Sequence, residues 1–219
     1  MDHVTRNGVL RGLFPPEVAT AELRGIGSEA WPLREEEVSV LHAVPKRRRE
    51  FAAGRCCAHS ALGQLEVEHS PLPARSDGTP AWPPSVVGSI THTSGYTAAA
   101  AALKSHILAI GIDAERVGDV GRDLYEMICT RRELDWLASL APDQQPAMAA
   151  VIFSAKEAFY KFQYALGAKW LDFQDIDLEM GTNSFEIRCT KCPPSLAKHL
   201  VGQFRIESGL VVSGVYRGV

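Results

Sequence analysis

The sequence of 219 residues has no apolar run long enough to cross a bilayer. Its smoothest stretch, Thr97 to Leu103, is mostly alanine, far short of the roughly 20 residues a spanning helix requires. The opening Met1-Asp2-His3-Val4-Thr5-Arg6 lacks the basic start, apolar centre and small-residue cleavage site of a secretory leader. A cytoplasmic protein with no membrane partner is expected. Cysteine is scarce: there are 5, an odd number, with Cys56 and Cys57 adjacent. That pattern does not make a disulfide framework, so reduced thiols are expected. Charge of one sign is lacking too, since 23 Lys plus Arg face 26 Asp plus Glu for a net charge of -3. A protein that wraps nucleic acid carries a clear basic excess, and none is expected here.

What is present is ordinary globular material, 46% apolar and 22% charged, sized for one large domain or two small halves. The pair Cys189-Thr190-Lys191-Cys192 has the spacing of half a zinc site or of a redox dithiol. Four tetrahedral ligands are needed and only His199 follows alone, so no metal is assigned there.

The apolar and turn patterns define the elements. Weak alternation over Val18 to Ile26, ended by Gly25 and Gly27, predicts a short strand. Pro45 suits the first turn of a helix running to about Leu65, with Phe51, Ala52, Cys56, Ala58, Leu62 and Leu65 as its stripe. Ser70 to Pro84 holds five prolines and no periodicity, which marks a long loop. Three close strands, Val86 to Thr93, Tyr96 to Leu103 and His106 to Ile112, predict an antiparallel meander. A helix is expected over Arg122 to Leu140 and a stronger one over Pro146 to Leu166. In the latter, Met148, Ile152, Ala155, Phe159, Phe162 and Leu166 form the buried stripe and Gly167 supplies the stop. Four strands close the chain: Asp175 to Met180, Ser184 to Thr190, Gln203 to Glu207 and Leu210 to Tyr216.

The fold class is therefore α+β. Helices followed by a small antiparallel group occur twice, so two pseudo-equivalent halves are expected, 1–111 and 112–219, with the site in a cleft between them.

Several groups bear chemistry. Asp113 and Glu115 stand two apart at a strand exit, so both carboxylates point to one side, a donor pair that suits Mg²⁺ as well as ordinary solvated loop charge. Glu157 and Lys161 stand four apart on the strongest helix, away from its stripe; an ordinary surface pair has the same spacing. Lys46-Arg47-Arg48-Arg49 opens a helix and Arg55 follows, seven residues after Arg48 and on its face. Arginine forks of this kind suit phosphate, and equally a solvated basic face. Gly88-Ser89-Ile90-Thr91-His92 ends a strand on hydroxyls and an imidazole, which could contact a phosphate.

Taken in order, these segments resemble the phosphopantetheinyl transferases of the enterobactin/surfactin type over most of the chain. The first block is similar to Gly78-x-Pro80-x-Trp82-Pro83 leading to Gly88-Ser89-Ile90-Thr91-His92. The second resembles Gly111-Ile112-Asp113-x-Glu115, and the third Phe153-Ser154-x-Lys156-Glu157-Ala158-x-Tyr160-Lys161. Lys46-Arg47-Arg48-x-Glu50-Phe51 with Arg55, and Lys169-Trp170-Leu171-x-Phe173, are similar to segments of the mycobacterial members.

The resemblance implies an enzyme that moves the 4′-phosphopantetheine arm of coenzyme A onto a serine of an apo acyl or peptidyl carrier protein, releasing adenosine 3′,5′-bisphosphate. Such carriers serve fatty acid, polyketide, nonribosomal peptide and siderophore synthesis. It implies Asp113, Glu115 and Glu157 as the magnesium centre, with Glu157 also the base and Lys161 the phosphate and leaving-group stabiliser. It implies Arg47, Arg55 and His92 on the 3′-phosphate with Thr91 beside them, Arg75-Ser76-Asp77 over the nucleotide or pyrophosphate, and Trp170 along the pantetheine path. Ala74 stands where some relatives carry a lysine, with Arg75 next to it. A chain that holds a whole site is expected to act as a monomer. Two other classes remain open: a non-catalytic nucleotide- or RNA-binding module and a coenzyme A-dependent acyl transferase. Neither needs the Asp113, Glu115, Glu157 trio.

Overall fold

Five consecutive alanines, Ala98 to Ala102, form the centre of a strand buried on both faces and along both edges. Side chains this small let a helix lie close to a sheet. In the computed structural model the described residues are 4–5, 8–25, 34–68, 70–167, 170–189, 191–193 and 200–219. They divide into two units, Met1–Ile110 with Gly218–Val219, and Gly111–Arg217.

The first unit contains strand β1 (Ala19–Arg24), a one-turn helix α1 (Arg34–Glu37), the long helix α2 (Pro45–Gln64), and strands β2 (Val86–Thr93) and β3 (Tyr96–Leu103). The sheet order is β1-β3-β2, all antiparallel, with Ala19 opposite Ala101 and Val86 opposite Leu103. Helix α2 begins at Pro45, whose missing N–H costs nothing in a first turn. Its Ala53, Cys57, Ala58, Ala61 and Leu62 share a core with Ala99 and Ala101 of β3. Cys57, rather than the predicted Cys56, is fully buried there.

The predicted meander needs correction. Strand β4 (Ile107–Arg116) does not extend β2-β3; it forms the edge of a second, five-stranded sheet, and β1 takes the open side of β3. A strand with five alanines at its centre presents near-equivalent edges, so its local sequence carries no signal for which strand pairs on either side.

The second sheet has the order β4-β8-β7-β6-β5, where β5 is Ile176–Met180, β6 Ser184–Cys189, β7 Leu200–Glu207 and β8 Leu210–Gly218. Helices α3 (Tyr125–Ile128), α4 (Arg131–Ser139) and α5 (Gln145–Ala165) belong to the second unit. The single helix predicted over 122–140 is broken, because extended Cys129 interrupts it and Thr130 starts α4 as N-cap. Thr130 Oγ1 accepts from the Glu133 N–H and the Glu133 carboxylate accepts from the Thr130 N–H, a reciprocal pair that satisfies two orphan donors. In α5 the stripe Ile152, Ala155, Phe159 and Phe162 is fully buried, whereas Leu166 is exposed. Gly111 lets α5 approach β4: a Cβ there would lie 1.9 Å from the Ala158 carbonyl oxygen.

Cys189 and Cys192 form a disulfide with Cα atoms 5.4 Å apart, which corrects the expectation that all five cysteines are reduced. A separation of only three positions lets the two sulfurs meet within ordinary disulfide reach. Ile26, Gly27, Lys169, Thr190 and His199, each part of a sequence pattern above, lie outside the described residues.

Candidate active-site residues

In the second unit, β4 delivers Asp113 and Glu115, and α5 delivers Glu157 and Lys161. Lys161 Nζ donates to Asp113 Oδ1 at 2.7 Å and to the Ile112 carbonyl at 3.1 Å, so helix and strand are joined at the predicted acidic pair. Asp113 is buried and Glu115 is half-buried, in keeping with the last residues of a strand that is leaving the core. Burial, then the charges of Asp113, Asp119 and Glu157, push the Glu115 carboxyl up to about 7, while Lys161 pulls it down. Burial and then Asp113 also hold Glu157 above the usual carboxylate range, again opposed by Lys161. The charge of Asp113 thus adds to the cost of ionising both Glu115 and Glu157, and the Lys161 ammonium opposes it.

That donor set tests the implied magnesium. Hard carboxylate oxygens that repel each other in a partly dehydrated place match what Mg²⁺ binds, and a divalent charge would relieve the repulsion Lys161 only partly offsets. Among the described residues no three His, Cys, Asp or Glu side chains already enclose an ion position. The chemistry fits; in this conformation Lys161 holds Asp113 instead.

Beside this group the α5 face carries aromatic rings. Trp170 is 80% exposed and meets Tyr160 edge to face at 5.4 Å, and Tyr160 stacks on Tyr164 at 6.0 Å. The predicted role for Trp170 thus falls to a ring whose partner Tyr160 neighbours Glu157 and Lys161 along the helix.

In the first unit, Arg47 Nη1 lies 3.0 Å from His92 Nε2, joining the start of α2 to the end of β2. Thr91 is buried beside the exposed His92. Arg55 differs from the exposed fork expected of it. It is 5% exposed, its Nε donates to the Leu72 carbonyl at 2.6 Å, and its guanidinium stacks over Phe51 at 4.1 Å. Burial lowers its pKa to about 10, with Glu36 opposing and the like charge of Arg47 adding to the fall. The two guanidiniums therefore repel, while Arg47 also meets the His92 imidazole, an arrangement an anion would relieve. Arg75, Ser76 and Asp77 are exposed on a tight loop in which Asp77 Oδ1 accepts from the N–H and hydroxyl of Thr79. The motif residue Gly88 is explained by packing, because a Cβ there would meet the Trp82 indole at 2.6 Å.

No sequence pattern assigns a role to Lys156. It is fully buried, and its Nζ donates to Glu133 Oε2 at 2.6 Å, the Ile128 carbonyl at 2.8 Å and the Phe173 carbonyl at 2.9 Å. Glu133 also accepts from the Leu178 N–H at 2.8 Å, so one ion pair ties α3, α4, α5 and β5 together. The spacing Thr130-x-x-Glu133 is the available signal for the cap; nothing local signals Lys156 as its partner.

Comparison with known proteins identifies the family. Residues 35–102 match the family model of the 4'-phosphopantetheinyl transferase N-terminal domain, and residues 109–207 that of the 4'-phosphopantetheinyl transferase superfamily. The chain is similar to the 4'-phosphopantetheinyl transferase Svp of Streptomyces mobaraensis, 36% identical over 190 residues, covering 83% of this chain and 76% of that protein. It is also similar to the 4'-phosphopantetheinyl transferase PptT of Mycobacterium tuberculosis, 33% identical over 213 residues, covering 91% and 92%. Enterobactin synthase component D of Escherichia coli K12 is 37% identical over 139 residues, covering 62% of this chain and 64% of that protein. The chain belongs to the 4'-phosphopantetheinyl transferase superfamily and is an enzyme of that class.

Proposed function

We infer that this enzyme transfers the 4′-phosphopantetheine arm of coenzyme A to a serine of an apo acyl or peptidyl carrier protein, with magnesium bound, releasing adenosine 3′,5′-bisphosphate. The observation that carries the reading is the grouping of Asp113, Glu115 and Glu157 around Lys161 within the segment matching the transferase superfamily. An acyl transferase or a passive nucleotide-binding module would have no use for three mutually repelling carboxylates.

Asp113, Glu115 and Glu157 are the residues that would hold the magnesium. Bound there, the ion supplies charge neutralisation for the pyrophosphate of the coenzyme. The carrier serine oxygen forms a bond to the β-phosphorus as the bond from that phosphorus to the bridging oxygen breaks. Glu157, held above the usual carboxylate range by burial and then by Asp113, takes the serine proton directly or through a water. Lys161 stabilises the negative charge that collects on the departing adenosine bisphosphate. Arg47, Arg55 and His92 hold the 3′-phosphate with Thr91 beside them, the Arg75-Ser76-Asp77 loop covers the nucleotide or pyrophosphate, and Trp170 lines the pantetheine path.

In this reading the enzyme is a cytoplasmic monomer that engages neither membrane nor nucleic acid. Among the described residues no helix is long and apolar enough to cross a membrane. The test is incubation of the chain with coenzyme A, magnesium and a panel of apo-carrier proteins, followed by intact-mass measurement. A gain of one phosphopantetheine is expected on at least one carrier, and only with magnesium. Acetyl transfer from acetyl-coenzyme A without that gain, or no gain on any carrier, overturns the reading.

A further inference from the structure

Leu72 lies between Pro71 and Pro73, so among these three residues it alone offers a backbone N–H, and the following proline confines it to extended backbone. Both of its peptide groups are taken by charged side chains from other elements. Its N–H donates to Glu36 Oε1 at 2.7 Å, and its carbonyl accepts from Arg55 Nε at 2.6 Å. Glu36 is fully buried on α1, and the same Oε1 lies 2.7 Å from His59 Nε2 of α2. Glu36 also offsets part of the burial cost of the Arg55 guanidinium. Ser39 Oγ, one turn further on, accepts from the Ala74 N–H at 3.0 Å. From there the chain enters the loop closed by Arg75 N–H to the Thr79 carbonyl and Ala81 N–H to the Pro73 carbonyl.

We propose that Glu36 is a positioning residue for coenzyme binding: by holding Leu72 between itself and Arg55, it fixes the direction of the Arg55 guanidinium and the root of the loop carrying Arg75, Ser76 and Asp77. Glu36 touches no substrate in this scheme. The proposal rests on the transferase reading above, in which Arg55 meets the 3′-phosphate. An apolar residue would fill the same space without dehydrating a charge, but the carboxylate accepts from the Leu72 N–H, meets His59 and offsets part of the burial cost of Arg55.

The sign of the effect separates positioning from simple electrostatics. Removing a carboxylate near a phosphate site would by Coulomb's law tighten anion binding. Loss of the acceptor should instead weaken it, since the fork and loop lose their anchor. The side-chain oxygen of Gln keeps an acceptor for Leu72, so Glu36→Gln should rescue what Glu36→Ala loses.

The experiment measures binding of adenosine 3′,5′-bisphosphate and of adenosine 5′-phosphate by calorimetry to wild type, Glu36→Ala and Glu36→Gln. Expected is about a tenfold weaker bisphosphate affinity for the Ala variant, a smaller loss for the 5′-phosphate, and a Gln variant within about threefold of wild type. Equal change in the Ala and Gln variants, tighter binding in either, or equal loss for the two nucleotides overturns the proposal. Hydrogen exchange on the wild-type chain serves if the Ala variant does not fold. The Leu72 amide should exchange far more slowly than an open loop amide, and exchange at the open rate overturns the clamp. A wild-type chain that binds neither nucleotide while its Leu72 amide stays protected defeats the transferase reading and this proposal with it; normal binding with unaffected variants defeats only the role of Glu36.

Discussion

Lys161 is bonded to Asp113 at 2.7 Å, and its ammonium opposes the burial and like charge that raise the Glu115 and Glu157 carboxyls. In the proposed mechanism it therefore competes with a cation for the same carboxylates while serving the chemistry. Replacing it by Met should have opposite effects on two measurements. Magnesium binding, followed by calorimetry, should tighten several-fold because the repelling charges lose their internal counter-ion. Turnover should fall about 10²–10³-fold because the leaving group loses its positive partner. Weaker magnesium binding with the same loss of rate would make Lys161 a prop for the carboxylates instead.

The buried pair Lys156 and Glu133 predicts a stability effect. Lys156→Met keeps length and apolar packing but leaves Glu133 charged and buried, with the Ile128 and Phe173 carbonyls losing their donor. The cost should be about 3–5 kcal/mol in urea unfolding. The double change Lys156→Met, Glu133→Gln should recover a substantial part of it, since no lone charge remains. A single variant as stable as wild type would show that the pair is dispensable.

Close packing accounts for Gly111 in the Gly-Ile-Asp-x-Glu segment. An added methyl would press on the Ala158 carbonyl at 1.9 Å and the Phe162 amide nitrogen at 2.7 Å, so Gly111→Ala should cost about 1–3 kcal/mol. Gly63 of helix α2, where an added methyl would meet nothing within 4 Å, is the control, and Gly63→Ala should stabilise by about 0.4–1 kcal/mol. Thermal melts of the two variants should move in opposite directions.

Local signals carried the long elements and the chemistry at their ends. Pro45 and the stripe after it place α2, and the spacing from Met148 to Phe162 places α5, because a helix in contact with a core repeats its apolar residues on its own period. Strand alternation likewise puts Asp113 and Glu115 together without reference to any partner. What escapes local signals is settled over long separations. Strand β1 pairs with β3 across the whole of α2, and no property of Ala98 to Ala102 selects it. The break at Cys129 depends on a Thr130 and Glu133 cap that a continuous helical pattern hides. Lys156 and Glu36 act through residues 23 and 36 positions away, Glu133 and Leu72, so their sequence neighbours say nothing about them. Helical spacing assigns Arg55 to an exposed face; Phe51 and the Leu72 carbonyl draw it inward.

The free thiols predict a pH dependence. Burial first, then Cys56 and Glu22, pushes Cys57 up to about 12, and burial first pushes Cys129 up to about 12 as well. The thiolate is the reactive form, so iodoacetamide at about pH 8 should label half-buried Cys56 well before Cys57 and Cys129, as read by peptide mass. Both buried thiols have folded values above their ordinary 9.0, so the stability they contribute is whole below about pH 9 and is lost as pH rises toward about 12. The urea midpoint should therefore fall between about pH 8 and about pH 10. Equal labelling of all three thiols in the folded chain would contradict this.

Glu157 distinguishes proton transfer from metal binding, because the proposed mechanism gives it both roles. Glu157→Gln preserves size and hydrogen bonding while removing basicity and one negative charge from the cluster. A base acts in the transition state, so its loss should lower kcat about 10²–10⁴-fold and leave the coenzyme KM comparatively unchanged. A metal ligand acts in the ground state as well, so its loss should be offset by concentration. The rate of the Gln variant is therefore to be measured at rising magnesium with coenzyme binding followed in parallel. A rate that stays low at saturating magnesium with the coenzyme bound supports Glu157 as the base. Recovery to near the wild-type rate would leave it a ligand only and send the serine proton to another acceptor.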